Sequence, residues 1–201
     1  MILENKLGIN DSLTLAKEEE KISKKKALEL FESGKLDKLK AGTFKALAFI
    51  HEYLFGEIYE FAGKIREVNI AKSGFRFAPA LYLESAIEHI EQMPQSTFDE
   101  IIEKYVEMNV AHPFREGNGR TTRIWLDLML KNELGMVVDW NLVDKEDYLL
   151  AMERSPVKDT EIKHLLKAAL TEKTNDRTVY MKGIDASYHY EGYSTFKAEN
   201  L

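Results

Sequence analysis

Residues 112–123 have the sequence His112-Pro-Phe-Arg-Glu-Gly-Asn-Gly-Arg-Thr-Thr-Arg123. Apolar residues recur at helical spacing before this stretch, over 98–111, and again after it, over 120–130. Between the two segments lie Gly117 and Gly119, which suit a tight loop. The pattern therefore predicts a helix, a glycine loop and a second helix, and the rest of the chain is interpreted around it.

The glycine loop has the composition of an anion site. Gly117 and Gly119 permit positive backbone angles and close approach of a ligand, and successive N–H groups there can surround an anion. A helix that opens at Gly119 or Arg120 would add its unpaired N–H groups and its dipole to the same place. Arg120 and Arg123 are three residues apart, so both lie near one helix face and can reach phosphate oxygens.

Two further residues of the stretch indicate chemistry on a nucleotide. Glu116 offers a hard oxygen ligand, which suits Mg²⁺ shared with a di- or triphosphate. His112 stands at the end of a packed helix and is a candidate general base. We infer a site for a phosphate-containing nucleotide and magnesium, with a base beside it. The five histidines are dispersed, which disfavours a zinc site, and no Walker-type loop is present.

These residues also carry a resemblance. The stretch matches the motif of the Fic family, HPFx[D/E]GNGRxxR, at every fixed position. The resemblance implies an all-α fold, a Fic-type helical bundle with a small β-hairpin flap. It also implies transfer of AMP from ATP to a hydroxyl side chain (Tyr, Thr or Ser) of a target protein, with Mg²⁺ as cofactor.

The family's roles carry over to matching positions of this chain. His112 would deprotonate the target hydroxyl, and Glu116 would bind Mg²⁺. The resemblance assigns ATP and phosphate binding to the remaining positions: Phe114, Arg115, Gly117, Asn118, Gly119, Arg120 and Arg123. Of these, Gly117, Asn118 and Gly119 would form the anion hole, and the two arginines would hold the outer phosphates.

Length and composition set limits on the fold and on the partners. With 201 residues, of which 44% are hydrophobic, the chain suits one globular domain with appended arms. A net charge of −6 argues against nucleic-acid binding and against an anionic membrane surface. The sequence has no cysteine, no signal-peptide core and no apolar run of membrane-spanning length. We expect a soluble cytoplasmic protein; its oligomeric state, a homo-oligomer included, is open.

The chain divides into three parts by pattern. Residues 1–35 are expected to form an N-terminal helical arm, with Ser12 as N-cap and Gly34 as the stop. Residues 36–173 are the expected Fic core. It includes an apolar helix over 43–59, in which His51 is interpreted as structural, and helices over 80–93, 97–111, 144–154 and 159–173. Residues 174–201 are expected to be a polar linker and a C-terminal helix.

Residues 64–78 differ from the helical remainder. Val68 and Ile70 alternate with polar residues, turn-forming residues follow, and Phe75 and Phe77 alternate again, which predicts a hairpin. The pattern alone fits a structural hairpin as well as a docking surface. The resemblance favours a flap over the nucleotide that docks an extended target segment through Lys72, Ser73, Gly74 and Phe75.

The C-terminal segment contains a second short pattern. Ser187-x-x-x-Glu191-Gly192 resembles the inhibitory motif of Fic proteins, in which the glutamate pairs with the second motif arginine, here Arg123, and excludes the ATP γ-phosphate. Thr195-x-x-x-Glu199-Asn200 fits as well, but we favour Glu191 because the chain end is expected to fray.

The C-terminal motif also has a plain structural interpretation. In that alternative the segment is a capped surface helix, starting at Asp185 and ending at Gly192, and Arg123 pairs with Asp127 four residues on. A helix beside an AMP-transfer site also suggests self-modification, at Tyr188.

Two alternatives to AMP transfer to a target protein remain. One is another phosphate or nucleotide transfer on this scaffold, including removal of AMP, and the other is a non-catalytic binding module. The module would be expected to lack the base.

Overall fold

The structure, a computed structural model, describes residues 2–72 and 75–201; the side chains of Lys72 and Phe75 are not described. Within those residues the chain is mostly helical, with two short antiparallel sheets, which confirms the expected all-α class with a small β element. The helices are α1 (Ser12–Glu32), α2 (Phe44–Phe55), α3 (Leu83–Gln92), α4 (Phe98–Ala111), α5 (Asn118–Leu134), α6 (Lys145–Arg154), α7 (Thr160–Ala168) and α8 (Arg177–Tyr190).

Side-chain caps set where several helices begin. Thr97 and Glu100 form a reciprocal capping box at the start of α4, and the side chain of Thr43 accepts a hydrogen bond from Ala46 N at the start of α2. Helix α1 is capped by Asp11, whose carboxylate accepts from Thr14 N at 2.7 Å. The expected cap at Ser12 is therefore wrong by one residue, because the carboxylate of Asp11 reaches the free N–H group first.

Helix α5 runs through the centre of the molecule and packs against α2, α4 and α8. Both of its predicted apolar stripes are buried, and Trp125 and Leu126 are fully enclosed. Its first turn also buries Arg120 and Arg123, which are 1% and 2% exposed. The helix that carries the motif arginines is therefore the central element of the core, and its N-terminus is held by the helices around it.

The hairpin is shorter than the sequence pattern indicates. Strand β1 (Ala71–Lys72) pairs with β2 (Phe75–Arg76), and Ala71 lies opposite Arg76. Val68 and Ile70 lie before the first strand, so the predicted strand start is wrong, although Phe77 N still donates to Ile70 O at 3.4 Å. Of the predicted docking residues, Ser73 and Gly74 lie outside the described residues. Lys72 and Phe75 pair through their backbones.

A second sheet was not predicted. Strand β3 (Val137–Val138) pairs with β4 (Leu170–Thr171), and Asp139 N donates to Ala169 O at 2.8 Å. Helix α7 therefore ends at Ala168, and the expected helix over 159–173 is too long. Local spacing favoured a helix there, but the backbone pairing comes from a segment about thirty residues earlier, which periodicity does not show.

The C-terminal segment is more ordered than expected. Helix α8 is capped by Asp176 and begins at Arg177, so residues 174–178 are only partly a linker. The predicted cap at Asp185 is wrong, because Asp185 lies inside α8 and pairs with Lys24 of α1 at 3.0 Å. The chain end does not fray, because Ala198 is 1% exposed and its N–H group bonds Asp185. No helix in the described part of the chain is both long and apolar enough to cross a membrane.

Candidate active site

The motif forms a loop between two helices, as the sequence predicts. Helix α4 ends at His112, whose backbone is left-handed with φ 49°, and α5 begins after Gly117, with φ 76°. The side chain of Asn118 holds the intervening loop by accepting from Phe114 N at 2.8 Å and donating to Phe114 O at 2.7 Å. The N–H groups at the start of α5 therefore form one fixed surface.

Close contacts explain both glycines of the loop. A Cβ atom on Gly117 would lie 2.5 Å from the Phe55 ring. The positive φ of Gly117 would in addition strain any residue that has a side chain. A Cβ atom on Gly119 would lie 2.2 Å from a carboxylate oxygen of Glu191. The sequence predicted close approach of a ligand at this loop; in the structure, an acidic side chain of the same protein makes that approach at Gly119.

The imidazole of His112 is oriented by two neighbours. Its Nδ1 atom lies 3.2 Å from Asn109 O, and its ring stacks on that of Phe77 with centroids 3.7 Å apart. A carbonyl oxygen only accepts, so Nδ1 carries the proton of the neutral ring and Nε2 carries the lone pair. In this tautomer Nε2 is the ring nitrogen that can accept a proton.

Glu116 has the exposure and the support expected of a ligand to a shared cation. Its side chain is 44% exposed, and Oε1 accepts from Gly117 N at 2.9 Å and from Arg120 Nη2 at 3.2 Å. The described residues contain no group of three acidic or histidine side chains placed to enclose a metal. A half-exposed carboxylate of this kind is the type of ligand that Mg²⁺ takes alongside phosphate oxygens.

Arg120 is bound on both sides by carboxylates. Its Nη1 donates to Glu19 of α1 at 2.6 Å, opposite the contact with Glu116, while its buried Nε lacks a partner in the described structure. Burial acts to raise the pKa of Glu19, but Arg120 overrides it and the pKa is lowered, so this pair is charged. The expected phosphate contact from Arg120 would require the side chain to leave this arrangement.

Arg123 lies deeper and contacts α8. Its Nε donates to Ser187 Oγ at 2.7 Å, and its Nη2 donates to Ser187 O and to Glu191 Oε1, both at 2.9 Å. Its guanidinium also lies near the rings of Tyr148 and Tyr190, 5.5 Å and 5.3 Å from their centroids. The structure thus places Ser187 and Glu191 on the second motif arginine, as the resemblance implied.

The alternative partners of Arg123 lie elsewhere. Asp127 instead accepts from Val138 N and Trp140 Nε1, and burial raises its pKa to about 7 against those two hydrogen bonds. Glu199, in the second match to the inhibitory pattern, is exposed on a short 3-10 helix at the chain end. Glu191, by contrast, lies against Gly119 at the positive N-terminus of α5.

The remaining predicted residues have different surroundings. The Phe114 ring lies in the core and stacks on His51 at 3.9 Å, so only its backbone can face a nucleotide, while Arg115 is exposed. Tyr188 is 1% exposed and its hydroxyl donates to Ser23 Oγ. Self-modification at Tyr188 would therefore require α8 to leave its position.

Two residues near the site were not predicted to contact it. His51 accepts from Gly63 N at Nδ1 and donates from Nε2 to Glu116 O at 2.8 Å, and burial lowers its pKa to about 4, so the ring stays neutral. Glu19 reaches Arg120 from 101 residues away in the sequence. Both were assigned to helices by the pattern, but a pattern along the chain contains no signal for contacts across it.

The comparison with known proteins matches part of the chain to a family model. Residues 42–130 match the sequence model of the Fic/DOC family. This chain contains a Fic/DOC domain. The domain covers α2 to most of α5, with all of residues 112–123, so the active-site loop is inside it.

Curated relatives of the Fic/DOC chain carry names of one activity. It is 33% identical over 195 residues to the protein adenylyltransferase VbhT of Bartonella schoenbuchensis, covering 89% of this chain but only 39% of that protein. It is 28% identical to the probable protein adenylyltransferase y4lH of Sinorhizobium fredii (77% of this chain, 83% of the relative). It is 26% identical to the probable protein adenylyltransferase Fic of Salmonella typhimurium (85% and 88%).

Solved structures confirm the Fic-type fold. The BepC protein of Bartonella tribocorum, solved with bound AMPPNP, superposes with a TM-score of 0.71 at 19% identity, covering 85% of this chain and 93% of that one. A Fic domain of Bartonella quintana, solved with bound ADP, gives a TM-score of 0.72 at 22% identity, covering 86% and 92%. The helical bundle with a small hairpin is therefore a Fic fold.

Proposed function

We propose that this chain is a protein adenylyltransferase, which transfers AMP from ATP to a Tyr, Thr or Ser hydroxyl of a target protein. The observation that carries the proposal is the loop 112–118. It joins an imidazole with its lone pair on Nε2 to the N-terminus of a helix that carries two arginines. The names of the relatives support the same activity.

The proposed step uses few protein groups. The target hydroxyl oxygen attacks the α-phosphorus of ATP, its proton passes to His112 Nε2, and the bond to the β-phosphate oxygen breaks to release pyrophosphate. The N–H groups at the start of α5 and the guanidinium of Arg123 would hold the phosphates. An extended target segment would pair with the edge of the hairpin formed by β1 and β2.

Magnesium fits the proposed site through Glu116. This carboxylate is half-exposed and oriented by Arg120 and by its neighbouring N–H group, and an oxygen donor of this kind suits Mg²⁺ held jointly with phosphates. When bound, the ion would neutralise phosphate charge. Arg120 would then keep the Glu116 carboxylate oriented toward the ion. The contact of Arg120 with Glu19 supports this role, because it fixes the guanidinium.

We further propose that α8 inhibits the enzyme. The carboxylate of Glu191 neutralises Arg123 and lies against Gly119, where a phosphate would use the helix N-terminus. Removing one partner of a buried ion pair costs roughly 3–5 kcal/mol, so a competing pair of this kind is strong enough to hold the enzyme largely inactive. In the proposed inhibited state ATP binds, but its γ-phosphate is excluded and the α-phosphate is not presented productively.

The decisive experiment is the Glu191→Gly variant. It is incubated in a cell extract with labelled ATP, CTP, GTP or UTP in parallel, and protein-bound label is measured. We expect a strong rise in AMP transfer from ATP, because Arg123 is released. The matched control is Glu199→Gly, an identical change at the exposed glutamate, which should leave transfer as it is. Unchanged transfer in Glu191→Gly would contradict the inhibitory role of Glu191. Protein-bound label from CTP, GTP or UTP in place of ATP would mean that the transferred group is that nucleotide and not AMP.

Self-modification is proposed at Tyr188. Its hydroxyl is buried beside α1, so AMP attached there would keep α8 from docking again. The Glu191→Gly protein is incubated with ATP and Mg²⁺ and its intact mass is recorded, alone and with Tyr188→Phe added. The mass increase of one AMP should appear only while Tyr188 is present. An equal shift in both proteins would place the modified residue elsewhere.

A further inference from the structure

Arg66 is a buried cation on the segment that leads to the hairpin. It is 5% exposed, and its guanidinium donates to backbone carbonyls on two separate elements. Nε donates to His112 O at 2.8 Å and Nη2 to Ala111 O at 3.1 Å, at the end of α4. Nη1 donates to Val68 O at 2.7 Å and Nη2 to Ala78 O at 2.5 Å, on either side of the hairpin.

The surroundings explain how a cation is tolerated there. No carboxylate in the described part of the chain forms an ion pair with Arg66, and burial lowers its pKa below the usual arginine value. The negative end of the α4 dipole lies against the guanidinium, and the last carbonyls of α4 need donors. The planar fork of arginine serves carbonyls in several directions at once, which a lysine ammonium cannot match.

The contacts join the base of the hairpin to the peptide of His112. Val68 precedes the hairpin and Ala78 follows it, so one guanidinium holds both of its ends. The main chain adds to this link, because Arg66 N donates to Pro113 O and Ala78 N donates to Val110 O at 3.0 Å. The His112 ring is in turn stacked on Phe77, beside Ala78. Displacing Arg66 would therefore remove four hydrogen bonds that hold the hairpin base against the His112 peptide, and would loosen the imidazole relative to the hairpin.

We propose that Arg66 is a positioning residue for the transfer reaction. It sets the distance between the hairpin base and His112, so that a target segment paired to the hairpin presents its hydroxyl to Nε2 of the imidazole. This inference rests on the proposed function for the identity of the reaction. The link between the hairpin and His112 is a separate property of the fold.

The first test compares rates in the Glu191→Gly background. Arg66→Lys keeps the charge but loses the fork, and Arg154→Lys is the matched control at an exposed arginine that pairs with Glu161. At saturating ATP, transfer by Arg66→Lys should fall about 10²-fold, the loss that a 1 Å misplacement brings, while the Kd for ATP changes less than about twofold. Transfer within about twofold of the Arg154→Lys control would overturn the proposal.

The second test does not depend on transfer. Hydrogen exchange of the Phe77 and Ala78 amides and the ¹⁵N shifts of the His112 ring are compared between the parent protein and Arg66→Lys. Both amides should exchange faster and the ring shifts should move, while the amides of α5 keep their protection. If α5 loses protection as well, Arg66 serves the stability of the whole fold and the positioning role is wrong. If the Glu191→Gly parent shows no transfer, the proposed function fails. The hydrogen exchange and the ¹⁵N shifts still decide whether Arg66 holds His112 against the hairpin.

Discussion

At the scale of single residues, His112 meets two requirements together. Its backbone must be left-handed to end α4 and start the loop, and histidine, like asparagine, adopts that conformation more readily than most residues. For the proposed transfer its ring must also accept a proton, which asparagine cannot do. The bond from Nδ1–H to Asn109 O then leaves the lone pair on Nε2.

These two requirements can be separated by mutation. His112→Ala and His112→Asn should each lower transfer by ~10²–10⁴-fold in the Glu191→Gly background, because both lose the general base. The affinity for ATP should persist in both. Asn should retain more stability than Ala, since a left-handed residue with a Cβ costs roughly 1–2 kcal/mol unless its side chain is suited to that conformation. Loss of ATP binding without a separate rate defect would make His112 a structural residue.

At the scale of elements, α8 is held by α1 as well as by α5. Lys24 of α1 is 1% exposed and donates to Glu20, to Asp185 of α8 and to Phe196 O of the chain end. Glu20 also accepts from the N–H groups of Thr195 and Phe196. The N-terminal arm thus supports the helix that leads to Glu191, through the buried charged side chains of Glu20 and Lys24.

The arm therefore has an expected effect on activity. Lys24→Met should leave the buried carboxylates uncompensated and lower the free energy of unfolding by about 3–5 kcal/mol, part of it through looser docking of α8. Basal AMP transfer should rise as a result. Lys25→Met is the control, because Lys25 is the exposed neighbour and the change is identical. Denaturant titration and the transfer rate measure both effects, and a destabilised Lys24→Met protein with unchanged transfer would contradict the link.

At the scale of the whole molecule, local rules predicted the helices and the loop well. Thr43, Gly56 and Pro156 mark the ends of helices because caps, glycines and prolines act on adjacent backbone. The motif was predictable for the same reason, since its groups lie within twelve residues. Extents were wrong in several places: the helix expected over 43–59 ends at Phe55, a distant strand stops a helix before Leu170, and the cap chosen at Asp185 lies inside a longer helix.

The remaining errors concern contacts between distant parts of the chain. The contact of Arg120 with Glu19 was not predicted, because nothing near Arg120 in the sequence indicates a carboxylate 101 residues away. The frayed chain end was expected because few apolar residues surround Glu199, yet Lys24 and Glu20 hold its backbone from α1. Buried polar networks of this kind depend on tertiary geometry, which composition and spacing do not encode.

The carboxylate that occupies the start of α5 belongs to the same polypeptide, 68 residues beyond Arg123. Under the proposed inhibition it would act as a tethered competitor, whose local concentration is fixed by the fold and is the same in a dilute extract and in a crowded cell. Tethered groups commonly reach effective concentrations of about millimolar or more. A free nucleotide would then always meet the same competing carboxylate, and a lasting change in the rate of AMP transfer would have to come from whatever detaches Glu191.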